Sequence, residues 1–175
     1  LGENLKVVRM NIQKVINQLK KQYPGKKIIK NNPKKPTEII CEIDPTTNHP
    51  DYSVAIAVID KSTSHYHKFL TEEYEILKGK LILVKEGKKY VLKESEKHTI
   101  KPGTLHFAVG KETWVRVTAK PGWTKKDHIL FDKNFSLIKR PEMEMIELMD
   151  KNFDVRVYFS NPPPDLQLLD KKAGF

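Results

Sequence analysis

Apolar residues recur at helical spacing near the start of the chain and then change period. In "LKVVRMNIQKVINQLKKQ" (5–22), Val8, Ile12, Val15, Ile16 and Leu19 share one face, with Lys and Gln opposite. That pattern predicts an amphipathic helix packed on a larger body. "YPGKK" (23–27) stops it, and "NNPKKPTE" (31–38), with two prolines and two asparagines, reads as a loop. From Ile39 onward short β-rich runs alternate with turn signals. "SVAIAVID" (53–60) is almost continuously β-branched or small and apolar, and "YEILKG" (74–79) follows. "KLILVKEGKKYVLKE" (80–94) predicts a hairpin turning at Glu86-Gly87. "HTIKPGTLHFAVG" (98–110) and "ETWVRVTAKPGW" (112–123) predict two further strands. Such a series suggests a sandwich or barrel, and the lack of βαβ alternation argues against a parallel sheet. Beyond Trp123 the pattern weakens. "PEMEMIELMD" (141–150) predicts a helix begun by Pro141, "FDVRVYF" (153–159) a last strand, and "NPPPD" (161–165) the end of regular structure.

Length and charge divide this pattern into parts. A chain of 175 residues suits one domain with an appendage and can bury a core without crosslinks. The expected divisions are a basic helical arm (1–36), a β domain (37–131) and an extension (132–175) that wraps the domain or joins a subunit contact. Met10 is a candidate start, with residues 1–9 carried over from upstream sequence. The single cysteine, Cys41, excludes an internal disulfide and makes a reducing compartment the default. No apolar run has membrane-spanning length, so a soluble, cytoplasmic protein is expected. Of the net +10, nine charges fall in residues 1–36, where ten Lys and Arg face Glu3 alone. The body is near neutral. The arm holds one aromatic residue, Tyr23, which offers no base-stacking platform, so a solvated lysine face is favoured over a nucleic-acid site.

Chemistry concentrates in "SHYHKFLTEEYEILKG" (64–79). If residues 64–68 are extended, His65 and His67 share a face and Tyr66 takes the other. Two imidazoles so placed inside a barrel can converge on one cation. Glu72, opening the next run, can add a carboxylate. "KPGTLH" (101–106) can deliver His106 after a Pro102-Gly103 turn.

These two stretches resemble the two cupin motifs. His65, His67, Glu72 and Gly79 fit His-x-His, four residues, Glu, six residues, Gly; "KPGTLH" is similar to the second motif, where a proline-glycine turn precedes a third histidine. The resemblance spans roughly residues 50–120. It departs at Ile59, Ser95 and Gly110, where cupins commonly have Gly, Gly and Asn, and in the directly adjacent Pro102 and Gly103. It implies a mainly all-β fold, an antiparallel jelly-roll barrel carrying the N-terminal helix and a C-terminal extension. It also implies one divalent transition metal (Fe, Mn, Zn, Ni or Co) on His65, His67, Glu72 and His106, and a homodimer joined through sheet edges.

With three imidazoles and one carboxylate, a divalent ion keeps net charge +1 and open positions. The expected function is metal-centred chemistry on a sugar-like or carboxylate small molecule, as isomerase or lyase, or as dioxygenase. The alternative is a non-catalytic sensor using the same cup. Tyr74, on Glu72's parity, is a candidate substrate donor. Arg116 is a candidate for an anionic substrate group, against the alternative of an outward side chain lying over the barrel. Glu73 and Glu75 are expected to face outward, and no free acid or base stands out. His49 lies outside the pattern, as do His98, placed in an exposed charged turn, and His128, placed in a short helix capped by Thr124.

Overall fold

The computed structural model describes residues 9–130 and, beyond them, only the strands 138–139, 144–149 and 155–159. Helix α1 (Ile12–Gln22) begins at the cap residue Asn11, whose side chain accepts from the Lys14 N–H at 3.1 Å. Residues 1–8, where the helix was expected to start, lie outside the described residues. Asn11→Ala should therefore destabilise the protein by about 1 kcal/mol. Urea denaturation checks it, and an unchanged midpoint would remove the cap from the folding energetics. Lys20 and Lys21 sit in the last turn, where they complement the helix dipole.

Ten strands follow: β1 (Ile28–Lys30), β2 (Glu38–Asp44), β3 (Ser53–Lys61), β4 (His65–His67), β5 (Thr71–Lys78), β6 (Lys80–Lys85), β7 (Lys88–Lys93), β8 (Lys97–Ile100), β9 (His106–Lys120) and β10 (His128–Leu130). All pairings between them are antiparallel, in one curled sheet whose main path runs β1-β2-β3-β9-β4-β10. Strand β9 organises the fold. Expected as two strands, it is one 15-residue strand that pairs along its length with β3, β4, β5 and β6. It passes through a left-handed Glu112 (φ 48°) beside a register shift at Ile59/Lys61 on β3. Gly110 lies at this irregularity. A Cβ there would meet the Ile59 carbonyl oxygen at 2.8 Å, so the crossing of β3 and β9 leaves no room for the asparagine common in cupins. Asp60 ties the same place together, accepting from Met10 N–H at 2.6 Å and Glu112 N–H at 2.7 Å.

The hairpin of β6 and β7 turns at Glu86-Gly87 as expected, with both residues at positive φ, the requirement of a tight two-residue turn matching strand twist. Inside the curl, Ile59, Tyr74, Ile76, Leu81, Leu83 and Val115 form the main core. On the outer face, Val15 and Leu19 of α1 pack on Ile39, Cys41, Ile56 and Val58. Burying such a leucine stabilises by roughly 1.5–3 kcal/mol.

Three expectations fail here. Residues 141–150 were expected to be helical, but strand β12 (Glu144–Met149) pairs with β11 (Ile138–Lys139) and β13 (Val155–Phe159). "EMEMIE" alternates as well as it spirals, and pairing with the next run decides between the two periods. His98 lies half-buried in β8, its Nε2 3.1 Å from Lys85 Nζ, and not in an exposed turn. His128 lies in β10 and not in a helix. Residues 124–127 form only a turn, with Asp127 N–H bonded to the Thr124 carbonyl, before the chain pairs with β4.

Candidate metal centre

Strand β4 is three residues long and lies between β9 and β10, with His65 opposite His106 and His67 opposite His128. Alternation along the strand turns both histidines to the inner face, as the extended reading requires. Glu72 enters from β5, paired with Ile100 and Ala119. The structure thus brings together all four side chains proposed as ligands. Glu72 Oε2 lies 3.1 Å from His106 Nε2 and 3.9 Å from His65 Nε2, and Oε1 lies 3.4 Å from His67 Nε2. All four are buried.

The other ring nitrogens are engaged. His65 Nδ1 meets the Thr63 carbonyl at 2.7 Å, His67 Nδ1 the Asp127 carbonyl at 3.1 Å, and His106 Nδ1 the Thr104 carbonyl at 2.9 Å. A carbonyl only accepts, so each Nδ1 carries a proton, and the neutral form of each ring, the form that ligates a cation, has its lone pair on the inward Nε2. His67 Nε2 has no hydrogen-bond partner among the described residues. Three lone pairs and a carboxylate gathered in a buried space, one of them orphaned, fit a divalent cation well.

Burial favours a neutral Glu72, but the adjacent imidazoles of His106 and His67 overcome it and hold the carboxyl well below its usual range. Burial, then the neighbouring His106, pushes His65 far down. At His67 burial is outweighed by Glu72, which raises it.

Asp127 is the residue that holds the first motif's loop. Its carboxylate accepts from the backbone N–H groups of Lys68, Phe69 and Leu70 at 2.8, 3.0 and 3.1 Å. From the second motif, Gly103 N–H donates to the His67 carbonyl at 2.6 Å. Nothing in the local sequence around Asp127 announces this role, because its partners lie 57–59 residues away.

The centre opens on a cavity of about 280 Å³ that His65 and Glu72 line together with Tyr74, Glu38 and His128. Its apolar wall includes Ile40, Ala57 and Val117. Tyr74 is buried, its ring T-shaped to His106 with centroids 6.3 Å apart, and burial followed by the Glu72 charge pushes its hydroxyl well above 10. It is a permanent donor. Arg116 is not brought to the cavity. It lies on the outer face, half exposed, and pairs with Glu75 at 3.0 Å. Glu73 likewise faces out, 3.5 Å from Lys97. His128, with a ring nitrogen within 4.8 Å of donors on His65 and His67, joins the cluster from which its sequence neighbourhood had excluded it. Burial, then His67, pushes it down to about 4.

Glu38 was also missed, since it closes a polar loop. No side-chain hydrogen bond or ion pair engages it among the described residues. Burial, then the Glu72 charge, pushes its carboxyl up to about 8 from an ordinary 4.5. The folded state then holds this proton more tightly than the unfolded chain. Stability is full below the unfolded pKa and falls as pH rises toward the folded value. In chelator-treated protein, Glu38→Gln should be more stable than wild type near pH 8 by roughly 1–3 kcal/mol, discounted for the opening to the cavity. Near pH 5 the two should be nearly equal. Denaturant midpoints at both pH values check this; parallel curves would mean that Glu38 ionises normally.

No protein-family model matches the chain, and no curated protein matches it in sequence. Solved structures do. A protein from Planctomyces limnophilus is similar with TM-score 0.53 at 19% identity, over 62% of this chain and 92% of its own. The Streptomyces protein Pac13, described as a nucleoside dehydratase with a β-barrel, is similar with TM-score 0.52 at 13% identity, over 61% and 86%. A cupin-like protein from Thermotoga maritima is similar over 47% of this chain and 67% of its own, with TM-score 0.43 and 18% identity. The chain has the cupin fold. The two motif stretches meet where His65 of β4 pairs with His106 of β9, and His65 and Glu72 line the cavity. Among the described residues, no helix is long and apolar enough to cross a membrane.

Proposed function

We propose that this cupin binds one divalent transition metal through His65, His67, Glu72 and His106 and acts on a small, neutral, hydroxylated molecule in the adjoining cavity. One observation carries the reading: three buried imidazoles, each fixed by a backbone carbonyl at Nδ1, turn Nε2 toward the Glu72 carboxylate. Fe, Mn, Zn, Ni and Co suit such a set. When bound, the ion would supply a Lewis acid that polarises a substrate oxygen.

The cavity lining bears on the substrate. No Lys or Arg lines it among the described residues, whereas Glu38, Glu42 and Asp44 do. Anionic ligands meet no counter-charge there beyond the ion itself. A sugar-like polyol is therefore favoured over a carboxylate. Tyr74 can donate a hydrogen bond to it, and Glu38 can give up a proton from its carboxyl when protonated and take one up when ionised. The apolar wall excludes competing water. Isomerisation or elimination of water suits these groups. Pac13 was solved with uridine, so nucleosides belong among the compounds tried.

The test is turnover of sugars, nucleosides and hydroxy acids by protein loaded in turn with each metal, followed by NMR and an oxygen electrode. Conversion of a neutral hydroxylated compound without oxygen uptake is expected. Oxygen uptake coupled to substrate would make it a dioxygenase. Tight binding with no turnover would make it a sensor.

A further inference from the structure

The four histidines around this site do not share one tautomer. His65, His67 and His106 direct Nδ1 at carbonyl oxygens. At His128, Nδ1 instead accepts from the indole Nε1–H of Trp123 at 3.3 Å. An indole N–H can only donate, so His128 Nδ1 holds a lone pair and its ring proton sits on Nε2. The same bond excludes a proton on Nδ1, so the ring is neutral while the bond lasts.

Proximity alone would make His128 a further ligand. It stands opposite His67 in the ladder and stacks on His65 with ring centroids 4.3 Å apart. A nitrogen that bears a proton has no lone pair to give a metal, and the lone pair at Nδ1 is taken by Trp123. What remains is a donor. His128 and Trp123 both line the cavity that His65 and Glu72 open on.

We propose that His128 donates a hydrogen bond from Nε2 to an oxygen ligand held on the cavity side of the metal centre, with Trp123 as the positioning residue that fixes the donor tautomer. The ligand class is a hydroxyl or carboxylate oxygen of a small molecule. The proposal rests on the reading of His65, His67, Glu72 and His106 as the metal site.

The experiment uses full-length protein stripped with chelator, loaded with Co(II), and titrated with acetate while the visible bands are followed. His128→Ala should keep Co(II) affinity within about threefold and leave the acetate-free bands unchanged. Its acetate affinity should drop roughly five- to tenfold, as for one lost hydrogen bond. His128→Gln, which keeps an N–H donor, should recover part of the loss. Trp123→Phe should lose less than His128→Ala, because the ring is then free to exchange tautomers. A tenfold or greater loss of Co(II) affinity in His128→Ala, or shifted bands before acetate, would make His128 a ligand and overturn the proposal. Unchanged acetate affinity would make it a bystander. Should His128→Ala not fold, Trp123→Phe decides alone, and wild-type acetate affinity there overturns it. Wild-type protein that takes up no Co(II) fails earlier, at the metal site itself.

Discussion

Protein purified without added metal should carry close to one divalent transition ion per chain, and His106→Ala should lose it. His106 is 1% exposed, and of the three proposed ligand imidazoles its Nε2 is nearest to the Glu72 carboxylate, at 3.1 Å. Replacing even a residue that supports a ligand typically costs 10–100-fold in metal affinity, so removing a ligand should cost ~100-fold or more. The variant also leaves a cavity and a buried carboxylate short of a partner, so it should melt below wild type. His106→Gln separates the two effects. It refills much of the volume and keeps a polar atom, so thermal stability should partly recover while the metal stays lost. Elemental analysis beside circular dichroism reads both quantities. A well-folded His106→Ala that keeps its ion at wild-type affinity would place the metal elsewhere.

Asp127→Ala should be the most damaging change outside the four proposed ligands. Its buried carboxylate satisfies three consecutive backbone N–H groups of the turn after His67, and its carbonyl receives His67 Nδ1. Removing the side chain leaves those donors without an acceptor, at roughly 2–4 kcal/mol after the loop relaxes and water enters. Metal affinity should fall about 10–100-fold as well, since the turn that aims His67 is no longer held. Asp127→Asn keeps one oxygen acceptor and should show a smaller loss of both. Chemical denaturation and competitive chelation measure the pair. A loss of stability under about 0.5 kcal/mol would show that solvent holds this turn as well as the carboxylate does.

Much of the centre is legible in the chain because it is local. His65 and His67 need only an extended backbone to share a face. The turn at Pro102-Gly103 sets His106 at the head of a strand, and Glu72 opens the run that β5 follows. The hairpin at Glu86-Gly87 is equally local, since its turn geometry belongs to two residues. The misreadings share a cause. His128 follows two lysines and an aspartate, which suggested a solvated helix, yet pairing with β4 makes it a strand residue beside His67. Glu38 follows a polar loop, yet β2 carries it to the cavity wall. Arg116 shares β9 with residues that line the cavity but sits on the other face, beside Glu75.

Alternating side chains, turn residues and motif spacing thus determined the strands, the helix and the candidate ligands, because each depends on neighbours within a few positions. Tertiary structure alone decided that residues 106–120 form one strand, that Asp127 braces His67, and that His128 and Glu38 reach the cavity. Those outcomes depend on pairings between segments dozens of residues apart. A polar side chain in such a pairing takes its environment from the strand it meets, which its own stretch of sequence does not encode.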